Sequence, residues 1–137
     1  MVEMLRCAQH DISKVMRKLL WYLAPLIGWI FAHMSFVFPA KRLRETDSLL
    51  AFYHPRPAYP FHVIIAPKKD IRSFADLAPA DPFLADLIIA AQSLVAEFHL
   101  PAYRLIVNGG EYQEFPHLHF HLVSDVGATH ASPLREN

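Results

Sequence analysis

Three histidines alternate with large apolar residues in the run His117-Leu118-His119-Phe120-His121-Leu122-Val123. On a strand, a side-chain period of two puts all three imidazoles on one face and turns Leu118, Phe120 and Leu122 toward a core. Imidazole titrates near neutrality, so such a row can supply a nucleophile, donors to anionic oxygens and a proton carrier at cellular pH. That combination suits phosphoryl or nucleotidyl transfer. The same spacing is open to metal chemistry, because His-x-His on a strand can chelate zinc if a further ligand arrives from elsewhere, and His54, His62, Asp70 and Glu114 are on offer. A strand whose polar face happens to carry histidines is a third reading, but three consecutive positions on one face argue against it.

Those residues need a scaffold. Short β-favouring runs occur at 41–45, 49–53 and 62–66, separated by connections containing Pro55, Pro57 and Pro60. Asp81-Pro82 predicts a helix cap followed by a first-turn proline. Phe83, Leu84, Leu87, Ile88, Ala91, Leu94, Val95 and Phe98 then give an amphipathic face that ends before Pro101. Strands are predicted over 103–107 and 117–123, joined by a loop through Asn108-Gly109-Gly110. The pattern is α+β. At the start of the chain, Leu5, Ala8, Ile12, Val15, Met16, Leu19, Leu20 and Leu23 recur at helical spacing with Lys14, Arg17 and Lys18 between them, which predicts an amphipathic helix. Residues 124–137 read as a loose tail.

A chain of 137 residues fits one domain, and 13 basic against 13 acidic side chains excludes a charge-driven nucleic-acid binder. The lone Cys7 forms no internal disulfide. The balance conceals an asymmetry, since Arg6, Lys14, Arg17, Lys18, Lys41, Arg42 and Arg44 face only Glu3, Asp11 and Glu45 in residues 1–45. Residues 19–40 carry no Asp, Glu, Lys or Arg and are long enough to cross a bilayer, yet Pro25, Gly28, His33, Ser35 and Pro39 interrupt them. The run is expected to be buried in the fold, with membrane contact, spanning or interfacial, as the rival.

Residues 117–123 also fit, at every position, the motif His-φ-His-φ-His-φ-φ with φ apolar, and in this the chain resembles the histidine triad family of nucleotide-binding proteins and hydrolases. Ala51-Phe52, Pro57, Pro60 and His62 leading into Val63-Ile64-Ile65-Ala66-Pro67-Lys68-Lys69 look like that family's first sheet segment. Ile30-Phe31 and Pro39-Ala40-Lys41 look like its opening helix and first strand, and Asn108, Gly109 and Gln113 like its phosphate-side loop. The likeness spans 30–123, leaving 1–29 as an N-terminal extension able to make peripheral membrane contact.

What the resemblance implies is an α+β fold with a five-stranded antiparallel sheet, a long helix, an extra N-terminal helix and a homodimer. It implies a cytoplasmic enzyme acting at the α-phosphorus of a nucleoside phosphoramidate, dinucleoside polyphosphate or acyl nucleotide through a nucleotidyl-histidine, with neither cofactor nor metal. His119 would be the nucleophile, the His117 carbonyl would orient its ring, His121 would donate to phosphate oxygens and His62 would support the cluster. Asn108 and Gln113 would contact phosphate or its surroundings, and Phe31, Met34 and Phe52 would line a purine site. His54 stands where members commonly carry an acid for the ribose hydroxyls, and Glu114 where many carry Ser or Thr. The alternatives are a nucleotide-binding regulator with little turnover, and a membrane-associated or metal-binding protein.

Overall fold

A computed structural model describes residues 13–26 and 41–125. A first helix, α1, covers 13–22, and one further helical turn follows at 24–26 after a break at Leu23. Then come β1 (Arg42–Glu45), β2 (Leu49–Tyr53), β3 (Phe61–Pro67), α2 (Pro82–Glu97), β4 (Arg104–Val107) and β5 (Phe120–Ser124), with short 3-10 turns at Phe74–Asp76 and Gly110–Tyr112. The five strands form one antiparallel sheet in the order β1-β2-β3-β5-β4. The α+β class and the five-stranded sheet are those expected. Residues 5–12 of the predicted first helix, Ile30 to Ala40, Phe31, Met34 and residues 126–137 lie outside the described residues.

Strand β3 is buried along its whole length because both faces of the sheet are covered at its centre. Phe61, Val63 and Ile65 join Leu49, Ala51, Tyr53, Leu118, Phe120 and Leu122 in a core closed by Phe83, Leu87, Ala91 and Leu94 of α2. Alternation turns the intervening residues to the opposite face, where Leu50, Phe52, Ile64 and Ala66 make a smaller apolar cluster with Phe115. The functional side chains stand on this second face.

Helix α2 begins where the sequence predicts. Asp81 caps it by accepting from the Phe83 amide at 3.0 Å, and Pro82 opens the first turn, where its missing N–H leaves no bond unmade. His99 ends the helix in the left-handed region at φ 49°, the conformation a C-terminal cap requires. The helix is fastened to the sheet from the side: Thr46 and Ser48, in the turn between β1 and β2, both donate to Asp86 Oδ2, at 2.7 and 2.5 Å. Arg44 reaches Ser93 and Glu97 from β1.

Strand β5 departs from expectation. It starts at Phe120 rather than His117 and runs on through Ser124, which the sequence pattern assigns to the tail. Ahead of Phe120 the chain leaves the ladder: the Leu118 amide donates to Ile71 O at 2.8 Å, and the carbonyl of Pro67 at the end of β3 is taken by the His117 ring. The alternation nevertheless persists, because Leu118, Phe120 and Leu122 all enter the helix-side core.

Candidate active site

Strand pairing sets His121 opposite Ile64 and Val123 opposite His62, so His62 and His121 project from neighbouring strands on the face away from α2. Their rings meet edge to edge, with His62 Nε2 2.9 Å from His121 Nδ1. His54, just beyond β2, stacks on His62 with ring centroids 4.2 Å apart. His119 stands 4.9 Å from His121, ring to ring. Four imidazoles thus form one contiguous group, and His117 lies beneath as a buried fifth.

Backbone groups decide which nitrogen of each ring carries the hydrogen. An amide can only donate, so the Ala58 N–H at 3.1 Å makes His62 Nδ1 an acceptor. In the neutral ring the hydrogen then sits on Nε2 and is donated to His121 Nδ1, which places the His121 hydrogen on Nε2. A carbonyl can only accept, so His119 Nδ1–H donates to His117 O at 2.7 Å and the lone pair of His119 is on Nε2. His117 Nε2–H donates to Pro67 O at 2.8 Å. The Arg56 N–H at 2.9 Å likewise makes His54 Nδ1 an acceptor and leaves the hydrogen on Nε2.

Burial favours the neutral form of His54, His62, His117 and His121. Desolvation, followed by repulsion from neighbouring histidines, pushes His62 and His121 down to about 4. His54 and His117 are lowered mainly for the same reason, although the Pro67 carbonyl, accepting from His117, acts in the opposite sense on that ring. The bond to the His117 carbonyl leaves His119 Nε2 as the nitrogen without a protein partner in that pair, and the His119 ring lies beside that of neutral His121, whose N–H is on Nε2.

His54, His117 and His119 line a cavity of about 240 Å³ together with Phe52, Pro55, Ile64, Ala66 and Phe115. A lining of apolar side chains and imidazoles suits a ligand with a flat hydrophobic part and an anionic reacting group. Phe52 lies where the sequence places a pocket residue. Phe115 was missed there, its only signal being an aromatic residue just ahead of Pro116-His117. The Ala58 and Arg56 amides were missed as well, and a backbone N–H leaves no mark in a sequence.

The remaining expected residues lie elsewhere. Gln113 is 2% exposed, and its Nε2 donates to Arg72 O at 2.6 Å and Phe115 O at 2.9 Å, so it fastens the loop that carries Phe115 and does not line the cavity. Asn108 is half-buried just past β4 and is likewise absent from the cavity wall. Glu114 is exposed, with its charge outside that wall.

One nitrogen from each of His54, His62 and His121 can be chosen so that the three lie within 4.8 Å of one another, a spacing open to a metal ion. The hydrogen bonds do not fit one. With both Nδ1 atoms accepting from the Ala58 and Arg56 amides, the Nε2 atoms of His62 and His54 carry hydrogens, and a metal at either would have to displace its hydrogen together with the amide bond.

Similar proteins carry the same framework. An uncharacterized HIT-like protein of Azospirillum brasilense is 37% identical over 93 residues, covering 61% of this chain and 74% of its own. One from Synechocystis is 33% identical over 89 residues, covering 62% and 78%. Among solved structures, a HIT family hydrolase from Legionella pneumophila superposes with a TM-score of 0.63 at 33% identity, over 69% of this chain and 89% of that one. A histidine triad protein from Clostridium difficile gives 0.62 at 26% identity, over 76% and 92%. The sequence model of the HIT domain matches residues 35–127, a span that holds all five histidines of the site, and on this match the chain belongs to the HIT family.

Proposed function

We propose that this protein is a nucleotide hydrolase or nucleotidyl transferase acting at the α-phosphorus of a nucleoside phosphoramidate, dinucleoside polyphosphate or acyl nucleotide. The observation that carries the reading is the 2.7 Å contact between His119 Nδ1 and the His117 carbonyl, which leaves the Nε2 lone pair for attack on phosphorus. As Nε2 bonds to phosphorus, the leaving group departs with the electron pair of its own bond and takes up a proton. The imidazolium so formed keeps its Nδ1–H on the carbonyl oxygen, which offsets the new charge. His121 Nε2–H donates to a non-bridging oxygen, and the chain Ala58 N–H to His62 to His121 holds that donor in register. Water then attacks phosphorus and gives up a proton to solvent, which balances the proton the leaving group drew from solvent, while the P–N bond breaks and the lone pair returns to Nε2. The apolar wall of Phe52, Ile64 and Phe115 would take the base.

Steady-state hydrolysis of adenosine 5′-phosphoramidate tests this. Wild type is expected to turn over and His119→Ala to lose at least about a thousandfold, the scale of a removed nucleophile. Equal rates in the two proteins would refute the assignment. A nucleotide-binding role with little turnover draws on His54, which offers an N–H where relatives commonly carry an acid. Tight nucleotide binding without hydrolysis by wild type would favour it. We also propose a homodimer: β4 is an edge strand with Leu105 exposed, and Ile88 and Ile89 of α2 are exposed as well. Sedimentation velocity at micromolar concentration would show it, and a monomer there would refute it.

A further inference from the structure

Helix α1 and the turn after it expose every large aliphatic or tyrosine side chain they carry except Leu20. Val15 is 65% exposed, Met16 58%, Leu19 56%, Tyr22 83%, Leu23 38% and Leu26 53%. At 3.6 residues per turn the first five fall in one stripe covering roughly a third of the circumference, the Leu23 amide still donating to Leu19 O, and Leu26 is exposed beyond the break. Ala24, on the other side, is fully buried, and Leu20 and Trp21 are partly so. The helix therefore packs by one side and presents a continuous apolar band on the other, a feature that marks a docking surface.

Charge selects the occupant. Lys14, Arg17 and Lys18 are all exposed, Lys18 next to the edge of the stripe at Tyr22 and Lys14 and Arg17 further round the helix, and residues 13–26 contain no Asp or Glu. A second copy of α1 laid on the stripe would bring Lys18 toward Lys18 and a second helix of charge +3, with no acid in either helix to pair it. An anionic lipid surface offers apolar depth for the stripe and negative headgroups for its flank. Tyr22, at the edge of the stripe, adds an aromatic side chain of the kind favoured at a membrane interface. Among the described residues no helix is long and apolar enough to cross a membrane, so the helix would lie in the surface plane. We infer that α1 is an interfacial anchor that seats this protein on anionic lipid bilayers.

Cosedimentation of the full chain with phosphatidylcholine vesicles, with and without phosphatidylglycerol, tests the inference. Binding is expected with the anionic vesicles, falling steeply as salt is raised, and little with the neutral ones. A basic residue at an anionic surface is worth a factor of about five, so the triple variant Lys14→Gln, Arg17→Gln, Lys18→Gln, which removes Lys18 beside the stripe and the two cations further round, should partition at least about fivefold less. Leu19→Glu with Leu23→Glu should abolish binding. Both variants should keep the circular dichroism spectrum of wild type, which separates a lost anchor from a lost fold. Failure of wild type to bind either vesicle overturns the inference. Equal binding of wild type and both variants overturns it too. So does Leu19→Glu with Leu23→Glu converting a dimer to a monomer while wild type ignores lipid, since the stripe would then be a self-interface.

Discussion

Replacing His62 with glutamine should flatten the acid side of the stability profile. Burial holds His62 and His121 at about 4 against an ordinary value of 6.5, first by desolvation and then through the neighbouring histidines. A base whose folded pKa lies below its unfolded one gains protons on unfolding, so stability drops as pH falls from 6.5 and levels off below about 4. For one ring the full difference is roughly 3 kcal/mol, of which about 2 kcal/mol appears between neutrality and pH 5. The two rings share a hydrogen bond and titrate as a pair, so the first proton makes the second harder to add. In His62→Gln the new side chain keeps an amide N–H for His121 Nδ1 but has nothing to protonate. Urea unfolding of both proteins at matched ionic strength, at pH 7, 6 and 5, should show the wild-type loss reduced by about 2 kcal/mol in the variant, a midpoint difference of about 1 M. Parallel profiles for the two proteins would refute the claim that His62 is buried neutral.

Three further substitutions probe what supports the site. Asp81→Ala removes the cap on the Phe83 amide and should cost about 1 kcal/mol, read as a lower melting temperature with turnover kept at permissive temperature. His99→Gly relieves the left-handed position at the end of α2 and should raise stability by about 0.5–1 kcal/mol in the same assay. Gln113→Glu would set a carboxylate against the Arg72 and Phe115 carbonyls, which now accept from Nε2. It should destabilise by about 2–3 kcal/mol, more at neutral than at acid pH, and raise KM through the loosened Phe115 wall.

Local patterns make much of this molecule legible from its residues alone. Strand β2 runs over the five residues read for it, because Leu49 to Tyr53 favour a strand and are bounded by turn residues. Asp81-Pro82 marks the start of α2 because capping is a local event. The alternation through 118–122 correctly separates core residues from histidines. What stays hidden depends on partners distant in sequence. Strand β5 begins late because Pro67, fifty residues away, gives its carbonyl to the His117 ring and not to a ladder amide. Gln113 turns inward because the carbonyl of Arg72 lies within its reach. The stacking of His54 on His62 follows from the path of the Pro-rich connection between β2 and β3, which also brings up the Ala58 amide that sets the His62 tautomer. Residue types announce a cluster of imidazoles, whereas its proton arrangement can be read only from the folded backbone.

Trapping the covalent intermediate tests the central claim most directly. Wild-type protein mixed with adenosine 5′-phosphoramidate, quenched in mild alkali and digested, should yield a peptide containing residues 117–123 that carries an adenylyl group on His119, seen by mass spectrometry. The adduct should vanish in His119→Ala and persist in Asp81→Ala. Substrate consumed at an unchanged rate by His119→Ala, or an adenylyl group on a different histidine of wild type, would contradict the account.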